Sequence, residues 1–109
     1  MHLIKDSNNL ILFAYVNNIV VGYLYGFVKN NGDAYIETVT ELEAMYVDSD
    51  YRKLGIGNAL VNEFKIWLKE KGNKFIELKV CSVNIDAINL YKQNGFSDFK
   101  LVMAYKMKD

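Results

Sequence analysis

Hydrophobic positions along this chain change period several times, and each change marks an element. From Leu10 to Val16 and from Ile19 to Val28, β-branched and aromatic residues dominate, the classes that suit a pleated, half-buried surface. Asn17-Asn18 between them is a two-residue turn signal, so the two runs predict a hairpin, with Gly22 and Gly26 as candidate bulges. After the polar Lys29-Asn30-Asn31-Gly32-Asp33, the run Tyr35 to Val47 predicts a long strand. Simple alternation puts Glu37, Glu41 and Glu43 on one parity and Ile36, Leu42, Ala44 and Tyr46 on the other.

Beyond Ile56 the period lengthens. Leu60, Val61, Phe64, Trp67 and Leu68 recur at helical spacing, and Gly72 after Glu70-Lys71 is a stop signal, so a helix of about four turns is predicted. Phe75 to Cys81 reads as a strand, Asn84 as the N-cap of a short helix over Ile85 to Gln93, and Asn94-Gly95 as its end. Phe96 to Met107 predicts one or two further strands. The order is three strands, helix, strand, helix, strand, without repeats or a linker. It predicts one domain over 1–109, of the α+β (α/β-like) class: a mixed, mostly antiparallel sheet flanked by helices. The long helix should connect two parallel neighbours.

Composition narrows the chemistry. Thirteen basic and thirteen acidic residues cancel, which removes the electrostatic argument for a nucleic-acid or membrane-surface partner. No apolar run approaches the ~20 residues of a membrane span, and the start MHLIKDSNN lacks the layout of a signal peptide. A soluble, cytoplasmic protein is expected. His2 is the one histidine and Cys81 the one cysteine, so no zinc ligand set or His-based nucleophile pair can be assembled, and no metal is expected. Cys81 is expected to pack as a small hydrophobe.

Candidate chemistry centres on Arg52-Lys53-Leu54-Gly55-Ile56-Gly57-Asn58, a glycine-rich stretch between a strand and a helix start. Glycines there let backbone N–H groups approach a phosphate, and the helix dipole favours its charge. At ~7% glycine usage such a pattern arises by chance in about one chain in ten of this length. A Walker A loop would need Gly-Lys followed by Ser or Thr, and a dinucleotide fingerprint would need a small residue at Leu60; neither occurs. A second stretch decides the matter. Asn84-Ile85-Asp86-Ala87-Ile88-Asn89-Leu90-Tyr91-Lys92-Gln93-Asn94-Gly95-Phe96 carries Asn, Ala, Tyr and Gly-Phe at fixed spacing. With both stretches in order, the chain resembles the GNAT superfamily of acyl-CoA N-acyltransferases from about Leu10 onward. It departs from the family pattern where many members place Pro at Asp48 or Ser49.

The resemblance implies an acetyl-CoA-dependent N-acetyltransferase. Its pyrophosphate would lie on the backbone of Arg52, Lys53, Leu54, Gly55, Ile56, Gly57 and Asn58. Pantetheine would run beside Met45, Tyr46 and Val47, and Asn84 would hold the amide arm, with Tyr91 close to the thiol. Direct attack by an amine needs a base and an acid. Glu43 is the candidate base, as in the polyamine acetyltransferase branch, with Glu41 the alternative at the position used by histone-type members; Tyr91 is the candidate acid. The acceptor would be a primary amine of a small molecule or a peptide.

Family members usually begin with a strand and one or two helices ahead of the hairpin, and nine residues stand there in this chain. The expectation is therefore an N-terminally truncated version of the fold whose strand Leu10 to Val16 is an open edge, and a homodimer that covers the exposed surface. The alternative is a non-catalytic CoA-binding or dimerisation module of the same fold.

Overall fold

The computed structural model describes residues 2–6, 8–29 and 39–108. Glu37, the start of the expected long strand and most of the turn before it lie outside the described residues. Five strands and two helices follow in the order β1 (His2–Lys5), β2 (Asn9–Val16), β3 (Ile19–Lys29), β4 (Val39–Val47), α1 (Ile56–Glu70), β5 (Phe75–Leu78) and α2 (Ile85–Gln93), with a 3-10 turn at Ser49–Tyr51 between β4 and α1. The sheet has the spatial order β1-β2-β3-β4-β5. Its first three pairings are antiparallel, and β4 and β5, joined through α1, are parallel neighbours as expected.

Local chemistry accounts for the joints. Asn17 and Asn18 both take positive φ, 51° and 66°, the geometry that lets a two-residue turn follow the twist of β2 and β3. The Asp6 carboxylate accepts from the N–H groups of Asn8 and Asn9, each at 2.8 Å, and these bonds hold its pKa below the usual range. This turn admits β1, which the sequence reading did not foresee. The expected open edge at Leu10 to Val16 is therefore corrected over its first part: β1 pairs with residues 10–13 of β2 and forms the outer edge there. No helix lies between β1 and β2 among the described residues.

Helix α1 covers one face of the sheet. Leu60, Val61, Phe64, Trp67 and Leu68 meet Leu10, Leu12, Val21, Leu24 and Leu42 in one core. Burial of the Phe64 ring stabilises the fold by about 1.5–3 kcal/mol. Gly26 makes the approach possible, since a Cβ there would stand 2.6 Å from that ring. At its far end α1 stops as expected: Gly72 has φ +78° and Asn73 N–H donates to the Leu68 carbonyl at 3.0 Å, closing off the last turn.

Three expectations near the C-terminus are corrected. Strand β5 ends at Leu78 rather than Cys81, and Cys81 is exposed, because β5 pairs with β4 only as far as Leu42 and has no ladder beyond it. Residues 97–108 are in no strand. Their alternating pattern suits a sheet, but a strand forms only against a partner, and among the described residues none is paired with them.

Candidate functional site

Strand β4 is divided by a bulge. Tyr25 of β3 opposes Ala44 while Gly26 opposes Leu42, so Glu43 is the extra residue. A second bulge leaves Val21 extra beside Gly22, where Ala14 opposes Gly22 and Tyr15 opposes Val20. Both candidate glycines thus adjoin bulges. The bulge at Glu43 breaks the expected parity: Leu42 shares the α1 face with Gly26, whereas Ala44 and Tyr46 pair with Tyr25 and Tyr23 on the other. Glu41 and Glu43 consequently have different environments. Past Leu42 the parallel pairing with β5 ends, and from Glu43 to Val47 no described strand pairs with β4 on that side. Backbone donors and acceptors there are available to a ligand.

Glu41 is 2% exposed. Lys29 Nζ stands 3.1 Å from its Oε1, off the direction of a well-aligned hydrogen bond, so the contact is chiefly an ion pair. Lys29 also lies 3.8 Å from Glu77, which Lys100 approaches at 3.9 Å. The contact with Glu41, then the charges of Glu41, Glu77 and Glu43, raise the Lys29 pKa against the opposing effect of partial burial. Glu43, in contrast, is exposed. Lys29 was not singled out in the sequence; the cue was a lysine ending an apolar strand that faces a carboxylate-bearing one.

The loop after β4 is built for close approach. Gly55 takes φ +84° as the N-cap of α1, and a Cβ there would meet nothing within 4 Å. Its carbonyl accepts from Ala59 N–H at 3.0 Å, and no side chain caps the helix. The first N–H groups of the helix therefore have no intrahelical acceptor. Lys53 also has positive φ, 63°. Arg52 turns back: its Nε donates to the Val47 carbonyl at 2.9 Å and its guanidinium sits 5.8 Å from the centre of the Tyr46 ring. Its side chain braces the loop against β4.

Three elements converge at Gly57. A Cβ on it would lie 3.2 Å from Leu90 of α2 and 3.7 Å from Met45 of β4. Asn94 fastens the contact, donating from Nδ2 to Asn58 Oδ1 at 2.8 Å and accepting from Lys65 Nζ at its carbonyl. Asn94 and Leu90 are additions to the sequence reading, which had used Asn94 as a stop signal. Tyr91, on the same helix, is partly buried with its ring edge-on to Phe96 at 5.7 Å, and burial raises its pKa above 10.0. Asn84 Oδ1 accepts from Ala87 N–H at 3.2 Å, capping α2, which leaves the amide nitrogen to donate elsewhere. Among the described residues no group of His, Cys, Asp and Glu is arranged to hold a metal ion, and no helix is long and apolar enough to cross a membrane.

The profile of the Acetyltransferase (GNAT) family matches residues 2–96. The chain belongs to this family. It is 37% identical over 67 residues to an uncharacterised N-acetyltransferase of Methanocaldococcus jannaschii, covering 62% of this chain and 30% of that protein. Against an N-alpha-acetyltransferase of Sulfurisphaera tokodaii it is 32% identical over 108 residues, covering 94% of this chain and 65% of the relative. The chain thus spans between about a third and two-thirds of these relatives' length. Among solved structures, the aminoglycoside N-acetyltransferase AAC(6')-Iy in complex with CoA superposes with a TM-score of 0.80 at 18% identity, covering 95% of this chain and 79% of that one. At that identity the likeness establishes the shared GNAT fold.

Proposed function

We propose that this chain is an acetyl-CoA-dependent N-acetyltransferase acting on a primary amine of a small molecule or peptide, with CoA held in the angle between β4 and α1. The observation that carries the reading is the convergence of Met45, Gly57 and Leu90, which joins an unpaired strand edge, an uncapped helix start and the Tyr91 helix. The N–H groups from Arg52 to Asn58 cradle the pyrophosphate. Pantetheine adds along Met45, Tyr46 and Val47, and Asn84 donates to its amide arm. No metal takes part in the proposed reaction.

Chemistry follows from what the side chains can exchange. Glu43 takes a proton from the incoming ammonium, directly or through water. The neutral amine attacks the thioester carbonyl, whose developing oxyanion a backbone N–H at the bulge stabilises. As the C–S bond breaks, Tyr91 gives its phenol proton to the CoA thiolate, and the phenolate takes the second proton from the nitrogen, directly or through water, as the neutral amide forms. Glu41 is the second candidate base, and its pairing with Lys29 supports the choice of Glu43. The same proposal includes a homodimer in the cytoplasm, without nucleic-acid or membrane partners.

Tyr91→Phe should lower kcat by about 10²-fold or more while acetyl-CoA affinity, read by calorimetry, stays within about twofold. An unchanged kcat would reject the acid role. Because burial raises the phenol pKa, the falling limb that Tyr91 gives the rate should lie at higher pH than that of an ordinary phenol. The second reading is a CoA-binding or dimerisation module of the same fold without turnover. Acetyl-CoA binding without thiol release across a panel of amines would select it.

A further inference from the structure

The C-terminal cap of α2 and the setting of Tyr91 are one structure. Gly95 N–H donates to the Lys92 carbonyl at 3.1 Å and Phe96 N–H to the Tyr91 carbonyl at 3.0 Å, with Gly95 at φ +91°, the paired bonds of a left-handed helix stop. Such a stop brings the residue after the glycine back against the last turn. Here that residue is Phe96, and its ring meets Tyr91 edge-on at 5.7 Å. Where the cap lies therefore sets where the phenol lies. Helix α1 holds the cap from outside. Half-buried Lys65 donates from Nζ to the Asn94 carbonyl and stands 5.5 Å from the centre of the Phe96 ring, and its charge faces the negative end of α2. Asn58, about two turns earlier on the same face of α1, accepts from the Asn94 side chain, which also donates to the Leu90 carbonyl at 2.9 Å.

We propose that Lys65 is a positioning residue for acetyl transfer: by holding the Asn94 carbonyl and the Phe96 ring, it fixes the turn of α2 from which Tyr91 reaches the CoA sulfur. The role rests on the reading of Tyr91 as the acid and adds the α1 side chain that aims it. Strand β5 and two loops separate α1 from α2 in the chain, so the register between the cradle helix and the Tyr91 helix has to come from contacts in space. Leu90 packs close to Gly57 and sets how near the helices come. Apolar contact is non-directional, whereas the hydrogen bond of Lys65 is directional and fixes how far α2 slides or turns. A proton donor must stand within about 2.6–3.2 Å of the atom it serves, so small displacements matter.

Lys65→Met keeps most of the stem and removes the ammonium. Its kcat should fall by about tenfold, within the ~10²-fold that a misplacement of about 1 Å can cost. Acetyl-CoA affinity, read by calorimetry, should stay within about twofold, because Lys65 stands about 10 Å along α1 from the glycine-rich loop. Lys65→Arg, which keeps a donor and a cation, should retain most of the rate. The double variant with Tyr91→Phe separates aim from general support. Once the phenol is gone its aim no longer counts, so kcat should fall no further than in Tyr91→Phe alone, the non-additivity of residues that act as a unit. A merely structural lysine would multiply the two losses. In the protein without CoA, the Tyr91 ring signals of a carbon-labelled NMR spectrum should shift in Lys65→Met while the circular dichroism spectrum is unchanged. Lys65→Gln takes the same place if the methionine variant does not fold. Unmoved Tyr91 signals, an undiminished kcat, an arginine variant as impaired as the methionine one, or multiplied losses would each overturn the role of Lys65 and leave Tyr91 as the acid. An undiminished kcat in Tyr91→Phe would overturn the acid and, with it, the role of Lys65.

Discussion

The two halves of β4 share one backbone and have opposite fates. Val39–Leu42 pairs with β3 and β5, and its residues are 0–6% exposed; Glu43–Val47 keeps β3 alone and is partly or fully exposed. The bulged Glu43 is the boundary. Two carboxylates two positions apart therefore stand in different settings: Glu41 is held by Lys29 inside the ladder, while Glu43 stands where the ladder opens. In the proposed reading the site begins where the sheet stops pairing, because unpaired backbone is what an extended cofactor arm can use.

The sharpest way to break this comparison is Glu43→Gln, which removes the proposed base and leaves the shape. Turnover should fall by about 10²–10⁴-fold, with stability within about 0.5 kcal/mol of wild type in a denaturant titration. Retained turnover would move the base elsewhere. Next comes Lys29→Met, which leaves the Glu41 carboxylate buried without its partner. It should cost about 3 kcal/mol, the lower end for breaking a buried pair, because Lys29 keeps 31% of its side chain in water. The contact with Glu41 raises the lysine pKa above 10.5, so the contribution is complete below pH 10.5 and fades as pH rises through the raised value. Replacing both partners, Lys29→Met with Glu41→Leu, should recover most of the loss and retain turnover. A double variant that folds but has lost turnover would make Glu41 the base.

Legibility in the sequence followed the range of the interactions. The Asn17-Asn18 turn, the Gly72 stop and the Asn84 cap depend on bonds to nearby residues, and each was readable. So was the core stripe of α1, because period alone defines it. Bulges were flagged by Gly22 and Gly26, yet the extra residues, Val21 and Glu43, emerge only when the register of the neighbouring strand is known. The short β1, the early end of β5 and the unpaired 97–108 segment likewise depend on which distant strand is available. At the site, the loop and Asn84 stood out by residue type, whereas the Lys29–Glu41 pair and the Asn94–Asn58 clamp join residues far apart in the chain.

The smallest expected effect tests the other side of the boundary, where the opened strand meets α1. Asn58 lies in the first turn of that helix, and its Oδ1 accepts from Asn94 Nδ2. Asn58→Asp keeps the acceptor and the shape and adds one negative charge. Near the N-terminus of α1 that charge should stabilise the protein by about 0.3–1 kcal/mol, seen as a small rise in melting temperature. If the same N–H groups hold the CoA pyrophosphate, the charge must repel it, so acetyl-CoA should bind more weakly in calorimetry. The helix dipole favours both anions, and the two compete for one positive end. Stability and affinity should thus move in opposite directions, and more so at low salt, where screening is least. If affinity rises or stays level while stability increases, the pyrophosphate does not sit at this helix start.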